Sequence, residues 1–289
     1  MKKKVFIKEK TAVAGAIELI LLIGLFAIVL SMIQLLYIPE IMEHKESDHM
    51  DEISNQFSRL KAMMDIQAKE NTSIPISTLI TLGSSELPYF VTAPAQGELT
   101  IIGKDDTAYE IKISDTITYD LTSIKYQSHN LYFVPQTYVL EGGGIIIKQP
   151  EGKSVMWVDP SFNATPIRDQ NGHVTNIEMY FDIPVIVCNE GNNNIGGFGH
   201  CYVRTNYSDE LSDNGWNYWS DISSINISTE YPNAWYSFFN QSFEKDVKNN
   251  ITFYQRAKYA TIEKKQQVDI EIDLYYRKTC IYAKVDSGG

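Results

Sequence analysis

Residues 19–38 read LILLIGLFAIVLSMIQLLYI, twenty positions without a single charge. A helix rises about 1.5 Å per residue, so this run spans roughly 30 Å, the thickness of the hydrocarbon core of a bilayer. Its apolar side chains occupy every helical face, whereas a helix lying on a soluble core keeps one polar face. The run therefore predicts a transmembrane helix, bounded at residues 12–39. Its flanks set a direction. Lys2, Lys3, Lys4, Lys8 and Lys10 precede it in a basic leader, residues 1–11, opposed only by Glu9. Glu40, Glu43, Glu46, Asp48, Asp51 and Glu52 follow it. The positive-inside rule keeps the N-terminus cytoplasmic and sends the rest outside. A secretory signal peptide is the rival reading, but the run ends in Leu35-Leu36-Tyr37-Ile38-Pro39, without a small-residue cleavage pattern. A single-pass protein of the cell membrane with an extracellular C-terminal domain is expected, the lipid bilayer being its first partner.

Composition narrows the function classes. The 289 residues carry 36 acidic and 25 basic side chains, a formal charge of −11. Only Glu9 and Glu18 among the acids, and five lysines among the bases, precede residue 39, so the remainder carries about −14. An acidic exterior of that size argues against nucleic-acid binding, which needs cations to neutralise phosphates. With 44% hydrophobic and 21% charged residues, the chain has ample material for a core.

Beyond the apolar run, residues 40–70 form an amphipathic stem. Met50, Ile53, Phe57, Leu60 and Met64 recur at steps of three and four, one face of a helix that continues from the span and bends at Pro39. Packing of that stripe onto the head, or pairing of two stems as a short coiled coil, both satisfy the pattern. His44 and His49 are five apart and share no face, so no metal site is expected there.

Residues 71–289 read as an exported, β-rich domain. Candidate strands are 76–82, 98–103, 108–114, 131–134, 137–140, 144–148, 154–158, 174–187, 201–206, 251–262, 267–276 and 279–285. Turn residues such as Lys104-Asp105-Asp106, Glu151-Gly152 and Asp169-Gln170-Asn171-Gly172 separate them. Val268, Ile270, Ile272 and Leu274 alternate with Asp269, Glu271 and Asp273, a strand with one dry and one wet face. The fold class is α+β: a long N-terminal transmembrane helix and stem, then a mainly antiparallel, sandwich-like domain. One helix interrupts the strands. Pro232 suits its first turn, and Trp235, Phe238, Phe239 and Phe243 form a stripe for packing on a sheet. Thirteen aromatic residues between Tyr207 and Tyr259 allow a sugar-binding platform as the alternative. Exposure of Trp216 and Trp219 would separate the two.

Cys188 and Cys201 flank a loop, NEGNNNIGGFGH, and could close it as a disulfide outside the cell, with Cys280 as a competing partner. Reduced, buried thiols are the other reading. Cys188, His200 and Cys201 match no zinc spacing. Six glycosylation sequons start at Asn71, Asn163, Asn206, Asn226, Asn240 and Asn250, about twice the number that chance would give. Nucleotide motifs fail: Ile147 stands where a phosphate loop needs glycine, and Tyr202 where a dinucleotide fingerprint does. Asp209, Glu210 and Asp213 are interrupted by Leu211 and read as a solvated turn rather than a calcium loop. No catalytic constellation, metal site or cofactor motif is expected.

The N-terminus resembles archaeal type IV pilins and archaellins. The residues that carry this are Lys8-Glu9-Lys10, the small-residue stretch Thr11-Ala12-Val13-Ala14-Gly15-Ala16-Ile17, then Glu18 and the apolar run. His49 to Phe57 and Tyr138-Val139-Leu140-Glu141-Gly142-Gly143-Gly144 are similar to segments of archaeal pilin-like surface proteins. The resemblance implies a non-enzymatic surface protein that polymerises with copies of itself or other pilin-like subunits through its first helix, Glu18 being the assembly charge. It also implies leader cleavage, for which Lys10, Thr11 and Gly15 mark the positions. The family is usually cut after Gly or Ala beside a charge, whereas Thr11 follows Lys10 here. Left uncut, the chain is a simple anchor. A monomeric anchored receptor or adhesin that binds glycans through its aromatic region is the alternative function.

Overall fold

The computed structural model describes residues 3–84, 94–188, 193–266, 268 and 270–287, with side chains from Ala14 onward. It is α+β. A long N-terminal helix leads into a head of three sheets, almost all of whose ladders are antiparallel. The helix runs through α1 (Lys3–Met32), a π turn (Ile33–Tyr37) and α2 (Ile38–Glu70). Pro39 has no N–H to offer the preceding turn. The π turn widens the helix just before it, with the Ile38 N–H donating to the Ile33 carbonyl five residues back, and helical bonding resumes at Ile38. Asn71 ends α2 in a left-handed conformation (φ 48°), its N–H bonded to the Gln67 carbonyl.

Strands are numbered along the chain. The central sheet has the order β1 (Ile76–Thr81), β12 (His200–Tyr207), β17 (Glu271–Ser287), β10 (Val174–Cys188), β9 (Phe162–Arg168), and short β13 (Asn217–Trp219) also pairs with β17. A second sheet has the order β11 (Asn194–Gly197), β2 (Gln96–Ile102), β5 (Ser123–His129), β6 (Thr137–Glu141), β7 (Gly144–Lys148), β8 (Val155–Val158). The third runs β15 (Ile251–Arg256), β16 (Tyr259–Lys264), β14 (Ser224–Ser228), β3 (Glu110–Ile113), β4 (Ile117–Asp120). The long pair β10–β17 is parallel, from Asn176↔Glu271 to Cys188↔Ala283. A parallel pair needs cover on both faces. One face meets the third sheet and α3 (Pro232–Ser242), in a core that includes Phe181, Ile183, Leu274, Trp235 and Phe239. Toward one end, the opposite face meets the second sheet and α2, in a core that includes Ile186, Ile281, Val203, Phe57 and Leu60. Pro184 is tolerated in β10 because β9 pairs only as far as Phe181.

The stem stripe is fully used. Met50, Ile53, Phe57, Leu60 and Met64 are all buried in the second core, which leaves no apolar stripe for a coiled coil. Polar bonds fix the register of helix on sheet. Gln56 donates to Thr81 Oγ1 and accepts from the Thr81 N–H, both at 2.9 Å. Gln67 donates to the Thr205 carbonyl at 2.8 Å. Glu46, fully buried, accepts the backbone N–H groups of Leu131, Tyr132 and Phe133 at 3.1, 2.8 and 2.6 Å.

That last contact overturns one expected strand. Residues 131–134 pair with no strand: the N–H groups of 131–133 point at a carboxylate, and the segment is a bent loop instead. The expected strand 251–262 is a hairpin, β15–β16, turned at Ala257-Lys258. Expected strands 267–276 and 279–285 merge into β17, because Arg277 and Lys278 lie on a continuous ladder with Asp182 and Ile183. Strands β4, β5, β9, β11, β13 and β14 were not expected. The Tyr138–Gly144 segment builds a hairpin: Gly142 (φ 55°) and Gly143 (φ 80°) make the turn, and a Cβ on Gly142 would meet the Trp235 ring at 2.8 Å. Beside it, Glu141 accepts from Trp235 Nε1 at 2.8 Å and Thr229 Oγ1 at 2.7 Å, which pins α3 to the sheet.

Candidate functional site

Two surfaces stand out, the apolar half of the long helix and an aromatic face on the head. From Ala14 to Tyr37 every side chain is exposed except the half-covered Ile33; Leu25 is 59% exposed and Leu35 74%. This is one helix long and apolar enough to cross a membrane, with none of its apolar window covered by the head. Glu18 is exposed and has no ion-pair partner among the described residues. Nothing lies within 4 Å of where a Cβ on Gly15 or Gly24 would stand. The helix passes unbroken through Lys10 and Thr11, whose side chains lie outside the described residues.

The aromatic face lies on the central sheet. Alternation puts Glu178, Tyr180 and Asp182 of β10 on the same face as their β17 partners Asp273, Tyr275 and Arg277. That is the face α2 covers further along, at Ile186 and Ile281; here it emerges from under the helix. Tyr180 and Tyr275 stack with centroids 4.7 Å apart and 7° between planes. Trp216 meets Tyr180 edge-on at 6.0 Å, and Tyr218 leans on Tyr275 at 5.0 Å. The Arg277 guanidinium sits 5.2 Å over the Trp216 ring and pairs with Asp182, which also accepts from Thr279 Oγ1 at 2.6 Å. Asp273 accepts from Asn176 at 2.7 Å. Burial and the neighbouring Glu178 push the Tyr180 phenol up, and burial with Asp273 does the same to Tyr218, so both remain neutral hydroxyls. The two tryptophans therefore divide. Trp216 is 48% exposed on this face, whereas Trp219 packs against the core. Next to Asp182, a small cleft opens between the end of α2 and the sheet, lined by Lys61, Asp65, Ser161, Gly143 and Thr279 among others.

The aromatic helix α3 is mostly packing. Trp235, Phe238, Phe239 and Phe243 are buried, and Phe162 makes ring contacts with all but the first. The residues missed in the sequence were Tyr180, Tyr275, Asp182 and Arg277. Each stood on the wet side of an alternating run, but their meeting depends on the parallel pairing of strands about ninety-five residues apart.

The cysteines are unbridged. Cys188 pairs with Ala283, and Cys201 with Ser287, on opposite sides of β17. Two strand spacings across and four residues along put them about 16 Å apart, beyond the roughly 7 Å limit for a disulfide. The loop between them is not a hairpin, since β17 separates its two strands. Cys280 lies on the opposite face, in the other core. Burial raises the Cys188 thiol to about 11 and Cys201 to about 12, which makes both poor nucleophiles. Of the sequon residues, Asn71, Asn163 and Asn240 are exposed, and Asn206, Asn226 and Asn250 are part-covered, with Asn226 accepting from Thr261 inside a ladder. Among the described residues no cluster of three or more His, Cys, Asp or Glu could hold a metal.

Buried His49 holds the helix to the second sheet: its Nε2 lies 3.0 Å from the Tyr126 hydroxyl, which donates to the Leu82 carbonyl. The imidazole is therefore the donor, and burial pulls its pKa below the usual histidine value. Comparison with sequence-family models, curated proteins and solved structures finds no match.

Proposed function

We propose that this chain is a non-enzymatic cell-surface protein of pilin-like plan. Residues 19–38 hold it in the cell membrane with the N-terminus cytoplasmic, and the head stands outside. The observation that supports this is the division of one continuous helix: its upper half is core to the head, and its lower half offers lipid or neighbouring helices an apolar surface that the head leaves bare. In a polymer the lower halves pack together, and Glu18, otherwise unpaired in apolar surroundings, meets a cation from a neighbour. Protein sequencing of the mature N-terminus, protease treatment of intact cells and electron microscopy of sheared surface material test the reading. Digestion of the head from outside, with filaments containing the chain, is expected. An intact Met1 without filaments reduces the protein to an anchor; a head protected in intact cells contradicts the reading altogether.

A second reading draws on the aromatic face. An anchored adhesin would stack a sugar ring against exposed Trp216 or Tyr218 and offer its hydroxyls the part-exposed Asp182–Arg277 pair. Binding to immobilised glycans that falls at least tenfold in Trp216→Ala and Tyr218→Ala favours it. Equal binding, or none by the parent, counts against it.

A further inference from the structure

We propose that the lower edge of the head is a second membrane contact, with Leu131, Tyr132 and Val134 of the β5–β6 loop resting in the lipid headgroup layer. The inference rests on the membrane-anchored reading above. Going down α2 from the head, its partners on β6 and on the loop that precedes β6 descend in step. Met64 and Leu140 line one cleft, Phe57 touches Tyr138 at 6.0 Å between centroids, the Tyr138 hydroxyl reaches the Met50 carbonyl at 3.2 Å, and Glu46 binds the N–H groups of residues 131–133. The hairpin tip therefore points toward the membrane end of the helix.

Glu46 stands eight residues above Ile38, about 12 Å along the axis. The headgroup layer extends roughly 5–7 Å beyond the hydrocarbon. The remaining distance of about 5 Å is within the length of a leucine or tyrosine side chain. Loop tips on a water-facing surface are ordinarily polar. This one carries Leu131 (63% exposed), Tyr132 (39%) and Val134 (48%), while Phe133 turns inward against the second core. The three bonds to Glu46 hold the tip in one conformation, so its apolar side chains are presented rather than free to fold back. On the side of the helix that Glu46 faces, Met42 and Ile38 are also buried, so the covered face of α2 reaches down to the top of the span. Tyrosine is the residue that favours the headgroup level. Exposed Glu40, Glu43 and Asp48 nearby favour a zwitterionic surface over an anionic one. Two contacts, one span and one loop, fix the tilt of the head, which a single helix leaves open.

The test reconstitutes the full chain in phosphatidylcholine vesicles brominated at shallow or deep acyl positions, with tryptophan introduced as Leu131→Trp, Tyr132→Trp or Leu25→Trp. Both loop positions are exposed, so the fold tolerates the change, and the parent's four tryptophans give a fixed background. The new loop tryptophans are expected to be quenched at least twofold more than the parent's by shallow bromines and less by deep ones, with Leu25→Trp quenched most by the deep set. Quenching of Leu25→Trp with parent-like loop variants overturns the second contact and leaves the anchor standing. A loop signal that depends on protein concentration and not on bromine assigns the tip to another copy and overturns the inference too. Parent-like behaviour of all three overturns the anchor itself.

Discussion

Leu25 and Phe57 lie on the same unbroken helix, yet one is 59% exposed and the other fully enclosed. From Leu19 to Tyr37 the helix has apolar residues all round, and among the described residues the head leaves all of them bare but the half-covered Ile33. From Ile38 on, one face is apolar, and the head buries it. The upper half is also tied by polar bonds of defined length through Glu46, His49, Gln56 and Gln67, whereas Glu18 below has none among the described residues. Hydrophobicity alone does not separate the halves. What separates them is whether the polypeptide supplies a complementary surface, and a half without one takes its stability from outside the chain.

The sharpest way to break this contrast is a matched pair of truncations. Phe57→Ala removes a ring that packs against Tyr126 and Tyr138, and should destabilise the head by about 3–5 kcal/mol. Leu25→Ala should change it by less than about 0.5 kcal/mol. Denaturant unfolding in detergent, followed by fluorescence of the buried Trp235, measures both; similar losses would mean the lower half belongs to the head's core.

A pH experiment separates the head's own electrostatics from the helix. Burial raises the Glu141 carboxyl to about 7, against Trp235 and Thr229, whose bonds lower it. A carboxyl raised on folding stabilises fully below its unfolded value, near 4.5, and that contribution is lost as pH rises through about 7. Glu141→Gln keeps an acceptor for both donors and should flatten this decline, on the order of 3 kcal/mol across the window. His49, on α2, runs the other way: its lowered pKa favours the folded state above the ordinary histidine value, and that part is lost as pH falls below it. A profile unchanged by Glu141→Gln would place the pH response in the helix contacts.

Smaller still is the effect of Glu46→Ala, about 2 kcal/mol, because the three N–H groups it strands lie near the surface, where water can replace part of the bonding. Hydrogen exchange at residues 131–133 should accelerate at least tenfold, with little change at Tyr138 in the adjacent strand. Equal acceleration along β6 would show that Glu46 supports the whole sheet rather than the tip.

Periodic segments were legible in the sequence. The apolar run, the Met50–Met64 stripe, the α3 aromatics and the alternation into β17 each repeat at the period of their element, and local pattern suffices there. Contacts between distant segments were not. The parallel meeting of β10 and β17 decides that Tyr180 faces Tyr275 and that Cys188 and Cys201 are held apart, and nothing near either residue encodes it. Residues 131–134 look like a strand because their side chains are apolar, while their conformation is set by a carboxylate about eighty-five residues earlier in the chain. The sequence places the aromatic platform between Tyr207 and Tyr259. Trp216 and Tyr218 do lie there, and their partners come from strands read only as sheet.

On the proposed reading residues 19–38 lie in lipid while the head does not. Carbonate extraction of membranes from cells that make the full-length chain tests it directly. Recovery in the membrane pellet, with release only by detergent, is the expected result. Recovery of the full-length chain in the aqueous supernatant would contradict the account.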